Sequence, residues 1–172
     1  MRISNLLGIV CCFALPAAAG VATAASLSHA DQHFLDVAAQ TDMTLAHEGH
    51  LAESQAKRDE VKNFAKTLIQ DHTTSYTDLS ELTTRTGATI PRGINVAHDQ
   101  SIVHLVHLKG ATFDRQFVTD EIAAQRRALI AFRYEAKHGE NAAVKAYAAK
   151  MIPVLEKDLR LGEQCIKPAG KA

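Results

Sequence analysis

The chain has no tryptophan, six phenylalanines, three tyrosines, and only four prolines and nine glycines among 172 residues. Scarce turn formers and aromatics favour helices, and the abundant Ala, Leu and charged residues point the same way. There is no excess of either charge. Nineteen Lys and Arg balance nineteen Asp and Glu, so the chain carries no electrostatic footprint for nucleic acid or an anionic membrane. Its charges are interspersed, as on solvated helix faces. The sequence contains no nucleophile elbow, phosphate-cradling Gly loop, HExxH or CxxC, which removes the common signatures of catalysis. One domain suits the length.

What is present begins with a leader. Residues 1–25 read as a Sec-type signal peptide, with Arg2 as the positive start and Leu6 to Leu15 as the apolar core. Pro16 then opens a small-residue tail that offers cleavage after Ala19 or around Ala24 and Ala25. An uncleaved inner-membrane anchor is the alternative, since Leu6 to Ala25 is just long enough to span a bilayer. Cleavage would place residues 26–172 in the periplasm or outside the cell, with no integral membrane segment left. It would also remove Cys11 and Cys12, so Cys165 would be the last thiol and no intrachain disulfide could form. Cys165 reads as a small apolar residue at a helix end, with an intermolecular disulfide as the other use.

The mature part is predicted to be an all-α, ferritin-like four-helix bundle. The spacing predicts helices over His29 to Ser54, Asp59 to Gly87, Phe113 to His138 and Ala142 to Ile166. Their inward stripes include Phe34, Val37, Ala38, Thr41 and Leu45 in the first and Val61, Phe64, Leu68, Tyr76 and Leu79 in the second. Phe117, Ile122, Leu129 and Phe132 follow in the third, then Val144, Tyr147, Met151 and Leu155 in the fourth. Ser28 with Asp31 resembles a capping box, Asp59 and Thr112 are the expected caps of the second and third long helices, and Gly87 is a stop. Between the second and third helices lies a long crossover containing a short helix, Ala97 to Leu108, with Ile102, Leu105 and Val106 inward. Pro153 is expected to kink the last helix.

Each long stripe carries one polar residue: Glu48, His72, Gln125 and Asp158. Buried polar groups need partners, so these four, with Asp71 beside His72, are the candidate ligand or polar-core residues. A di-iron carboxylate site requires Glu-x-x-His pairs, but Ile69 stands three before His72 and the last helix has no His. A metal, if held at all, would use His72, Glu48 and Asp158, and a divalent transition metal is the alternative to the expectation of no cofactor. The bland reading is a hydrogen-bonded polar layer. The pairs His29/His33, His47/His50 and His104/His107 share helix faces and read as solvated. Exchanging His72 for Leu is expected to leave the protein folded and to stabilise it.

Four segments in order, FLDVAAQTDMTLAHEGHLA, VKNFAKTLIQDHTTSYTDL, FDRQFVTDEIAAQRRALIAF and VKAYAAKMIPVLEKDL, resemble domain of unknown function 4142, a family of exported bacterial helical proteins. The resemblance runs from about Asp31 to Leu161. It implies a ferritin-like bundle, periplasmic or secreted, and no agreed activity. Relatives carry Asp-His again in the third helix, where this chain has Ala124 and Gln125, and His in the fourth, where it has Asp158. The reading that follows is a non-enzymatic exported protein with a binding or envelope-stress role. A metal-binding bundle centred on His72 is the second reading, and a self-associating homo-oligomeric adaptor the third.

Overall fold

The computed structural model describes residues 27–166; the leader and its cleavage sites lie outside them. The described residues form five helices and no strand: α1 (His29–Gln55), α2 (Asp59–Thr86), α3 (Val96–Val106), α4 (Gly110–His138) and α5 (Ala142–Ile166). No helix among them is long and apolar enough to cross a membrane. The four long helices pack in a ring, α1 on α2 and α4, α5 on α4 and α2, and α3 lies across α1 and α4 within the crossover.

Local chemistry accounts for most helix ends. Ser28 and Asp31 form a reciprocal capping box. Gly87 stops α2 at φ 72°, a left-handed conformation that costs glycine little. Asn95 caps α3 through its side chain. Two expected caps differ. Asp59 sits inside the first turn of α2, where its charge meets the helix dipole. Thr112 lies inside α4, which begins earlier, at Gly110. Helix α5 runs unbroken through Pro153, whose exposed ring faces away from the packing. Val37 and Val106, expected inward, are about two-fifths exposed: Val37 opens onto a groove between α1, α3 and α4, and Val106 is the last residue of α3.

The hairpins α1–α2 and α4–α5 repeat one another at a constant offset. Asp31 corresponds to Asp114, Phe34 to Phe117, Val61 to Val144, Phe64 to Tyr147, Ala65 to Ala148 and Leu68 to Met151, all buried. The two apolar clusters obey the same correspondence. Phe34, Tyr147 and Met151 belong to one and Phe117, Phe64 and Leu68 to the other. The turns are held reciprocally. Asp114 accepts the backbone N–H groups of Lys57 and Arg58 at 2.8 and 3.0 Å. Asp31 accepts those of Glu140 and Asn141, the equivalent positions, both at 3.0 Å. Each hairpin thus supplies the acid that satisfies the other's turn, where bare amides would be costly. A pseudo-twofold axis crosses the bundle between the two clusters, and the polar seam lies on it.

Candidate functional site

The seam begins at His72, which the period of α2 delivers into the stripe one turn after Leu68. Its ring is fully buried. Nδ1 lies 2.8 Å from Asp42 Oδ1, a carboxylate that can only accept, so Nδ1 carries the proton. Nε2 is then an acceptor, and the Gln125 amide donates to it at 3.0 Å. Asp42 and Gln125 are equivalent positions of the two hairpins, so the imidazole bridges the axis between them. Its own counterpart is Leu155. Tyr147 donates to the other Asp42 oxygen at 3.4 Å and contacts the Ser75 hydroxyl at 2.9 Å. Burial pushes the Asp42 carboxyl upward, with the His72 hydrogen bond pulling the other way. Burial and the Asp42 charge push the Tyr147 phenol well up.

Asp158 lies behind the ring, fully buried, with Oδ2 3.9 Å from His72 Nε2. Neither of its oxygens meets a hydrogen-bond donor. Burial raises it to about 7, helped by contact with Asp71 and opposed by His72 and Lys157. Asp71 stands at the rim, half-buried, paired with Lys157 and in contact with the buried Asp158 carboxyl.

On the other side, Glu48 of α1 is buried and accepts a 2.6 Å hydrogen bond from Ser101 of α3. Its carboxyl also touches that of Glu121 of α4. Glu121 is fully buried, and neither of its oxygens meets a donor. Two acceptors in contact hold together only with a proton between them. Glu121 is the member that keeps it, raised well above the ordinary range by burial and then by Glu48 and Asp158. A third acid pair repeats the pattern at one end of the bundle. Glu135 of α4 contacts Asp31 and is raised to about 7 by burial and that neighbour, while hydrogen bonds hold Asp31 low against its own burial.

Glu48 also lines a groove of about 560 Å³ between α1, α3 and α4. Small residues open it: Ala123, Ala124, Ala128 and Ala131 leave α4 without bulk where α1 passes. Leu45 and Phe132 add apolar wall, and His98, Ser101 and His104 of α3 form one edge. The Ser101 proton goes to Glu48 or the His98 carbonyl, so no imidazole activates that hydroxyl.

The four polar stripe residues are therefore all buried, but they do not form one cluster. His72, Gln125 and Asp158 meet at the axis, whereas Glu48 turns to Ser101 and Glu121. Reading the stripes missed Asp42 and Glu121, each one residue beside a stripe position, Thr41 and Ile122. Comparing the two halves would have found Asp42, the counterpart of Gln125. The histidines of the three spaced pairs are exposed. As a metal centre the donor set fits poorly. The Gln125 amide occupies the His72 lone pair, Glu48 points elsewhere, and among the described residues no three His, Cys, Asp or Glu groups converge on an ion. Soft ions further need thiolate, thioether or free imidazole, which this seam does not offer.

No functionally curated protein matches the chain. Among solved structures, a DUF305 fragment from Deinococcus radiodurans is similar with a TM-score of 0.70 and 13% identity, covering 81% of this chain and 96% of that one. CopM in its Cu(I)-bound form is similar at 0.64 and 16%, covering 78% and 93%. CopM in its Ag-bound form gives 0.62 at the same identity and coverage. At such identities the likeness is one of fold, and it accords with the all-helical architecture. Residues 16–164 match the family described as domain of unknown function DUF4142, and the chain belongs to that family.

Proposed function

We propose that the protein is an exported, non-enzymatic binding protein of the bacterial envelope, and that its ligand lies in the groove between α1, α3 and α4. The observation that carries this reading is Glu48. A carboxyl that is only 3% exposed lines a groove of about 560 Å³ and is backed by a second, strongly perturbed carboxyl. Such a concavity, apolar with a few convergent polar groups, is where small ligands bind. The seam around His72 supports the non-catalytic half. Both ring nitrogens are engaged and the ring is sealed from solvent, so it holds no free base.

Amide chemical shifts of the mature chain, followed during a fragment screen, test the proposal. Hits are expected to perturb Thr41, Thr44, Ser101 and Ala124 together. Ala124→Trp, which fills the groove from a partly exposed position, should abolish those shifts without unfolding the bundle. Perturbations confined to other surfaces would overturn the assignment.

A further inference from the structure

Glu48 is held in an unusual way for a groove residue. Ser101 donates to one of its oxygens, and the Glu121 carboxyl touches it from the core side. Burial raises the Glu48 carboxyl, while the Ser101 and Glu121 contacts pull it down. Glu121, raised well further, keeps its proton, donates to Glu48 and leaves Glu48 as the ionised member of the pair. The charge is thereby fixed in place on the wall, with two donors orienting it and water largely excluded. Asp120, already hydrogen-bonded by Gln116, and the exposed Arg127 lie at the mouth and offset each other. His98 and His104 complete the polar edge. Arg127 acts on Glu48 from the mouth and Asp120 opposes it, so no unopposed positive charge in the groove answers Glu48. Glu121 itself is fully buried with both oxygens lacking a donor, so the acid pair is short of donors on the core side.

Resting on the groove reading above, we propose that the ligand is an organic monocation, a primary or secondary ammonium carried on an apolar body, with its N–H groups on Glu48. An ammonium brings the missing charge and up to three donors. The alanines, Leu45 and Phe132 receive the apolar body, and about 560 Å³ suits a small organic molecule. A metal ion would need more convergent ligands than this pair supplies. An anion would face the carboxyl of Glu48 at close range. Glu121 is a positioning residue: it sets which carboxyl is ionised and where its oxygens point.

The test uses three probes of one shape and different charge: 2-phenylethylamine, 2-phenylethanol and 3-phenylpropionate. Each is titrated into the mature chain by calorimetry and amide shifts. The amine is expected to bind at the groove at least ten times tighter than the alcohol, with the carboxylate weakest. Glu48→Gln keeps the acceptor for Ser101 and should bring amine and alcohol to equal affinity. Arg127→Gln, an exposed substitution that leaves folding alone, should tighten the amine a few-fold and not the alcohol. Equal binding of amine and alcohol to the unmodified chain would overturn the ammonium assignment while leaving the groove standing. Failure of all three to perturb groove amides would overturn both.

Discussion

Replacing His72 by Leu removes a side chain whose two nitrogens tie α2 to α1 and α4. The substitution leaves Asp42 buried without its principal donor, held by Ser75 and the longer Tyr147 contact, and leaves the Gln125 amide without an acceptor. Leaving the buried Asp42 charge uncompensated costs about 3–5 kcal/mol, and an orphaned amide adds about 1–3 kcal/mol. Burying leucine returns only about 1–2 kcal/mol of that. The net loss is therefore on the order of 4 kcal/mol, and by the usual size scaling the melting temperature falls by roughly 10–20 °C. The paired ring reverses the expectation from sequence that leucine would stabilise the core. Thermal unfolding followed by circular dichroism at pH 7 measures the drop. Adding Asp42→Asn to His72→Leu should recover part of it, because the stranded charge is gone. A melting temperature for His72→Leu within 3 °C of the unmodified protein would refute the reasoning.

Two further outcomes follow from the acids. Asp114→Ala strips the acceptor from two backbone N–H groups and from Arg58; chemical denaturation should show a loss of about 2–4 kcal/mol, with amide exchange at Lys57 and Arg58 accelerated. Glu135 and Asp158 are raised to about 7 in the folded chain and revert to ordinary values near 4 on unfolding. Between those values the native state holds more protons, so their stabilisation is complete below about pH 4 and is lost as pH rises through 7. Acidifying from pH 8 to 5 should raise stability by about 2–3 kcal/mol per group, about 5 kcal/mol for the two. Asp31 acts oppositely, losing its contribution as pH falls from the ordinary aspartate value to its depressed one, below that window. Glu135→Gln with Asp158→Asn should flatten the profile, and a wild-type midpoint that falls steadily from pH 8 to 5 would contradict this assignment.

Helix period and length were legible because apolar residues on one face must be buried together, and five helices appear where the spacing puts them. The seam was only partly legible. His72 and Gln125 stand in line with Leu68 and Leu129, so a stripe finds them. Asp42 and Glu121 lie one position off the line, and only the antiparallel approach of α1 to α4 brings both inside. Nor could spacing reveal that Glu48 looks toward α3 and not toward His72, because that depends on where the crossover docks. Gln40 sets that docking through hydrogen bonds to Gly93 and Asn95, contacts too distant in sequence for a local pattern. Asp31 read correctly as a cap, while its second task, holding the far turn, needed the fold.

The crossed clamps at Asp31 and Asp114 bear on how such a bundle could arise. A single hairpin has its turn amides bare and only half of each apolar cluster, so the smallest self-sufficient ancestor would have been two identical hairpins meeting across a true dyad. Gene fusion would free the meeting line from symmetry. His72 opposite Leu155 is a difference that two identical copies could never have built, and it is there that one imidazole now serves both halves.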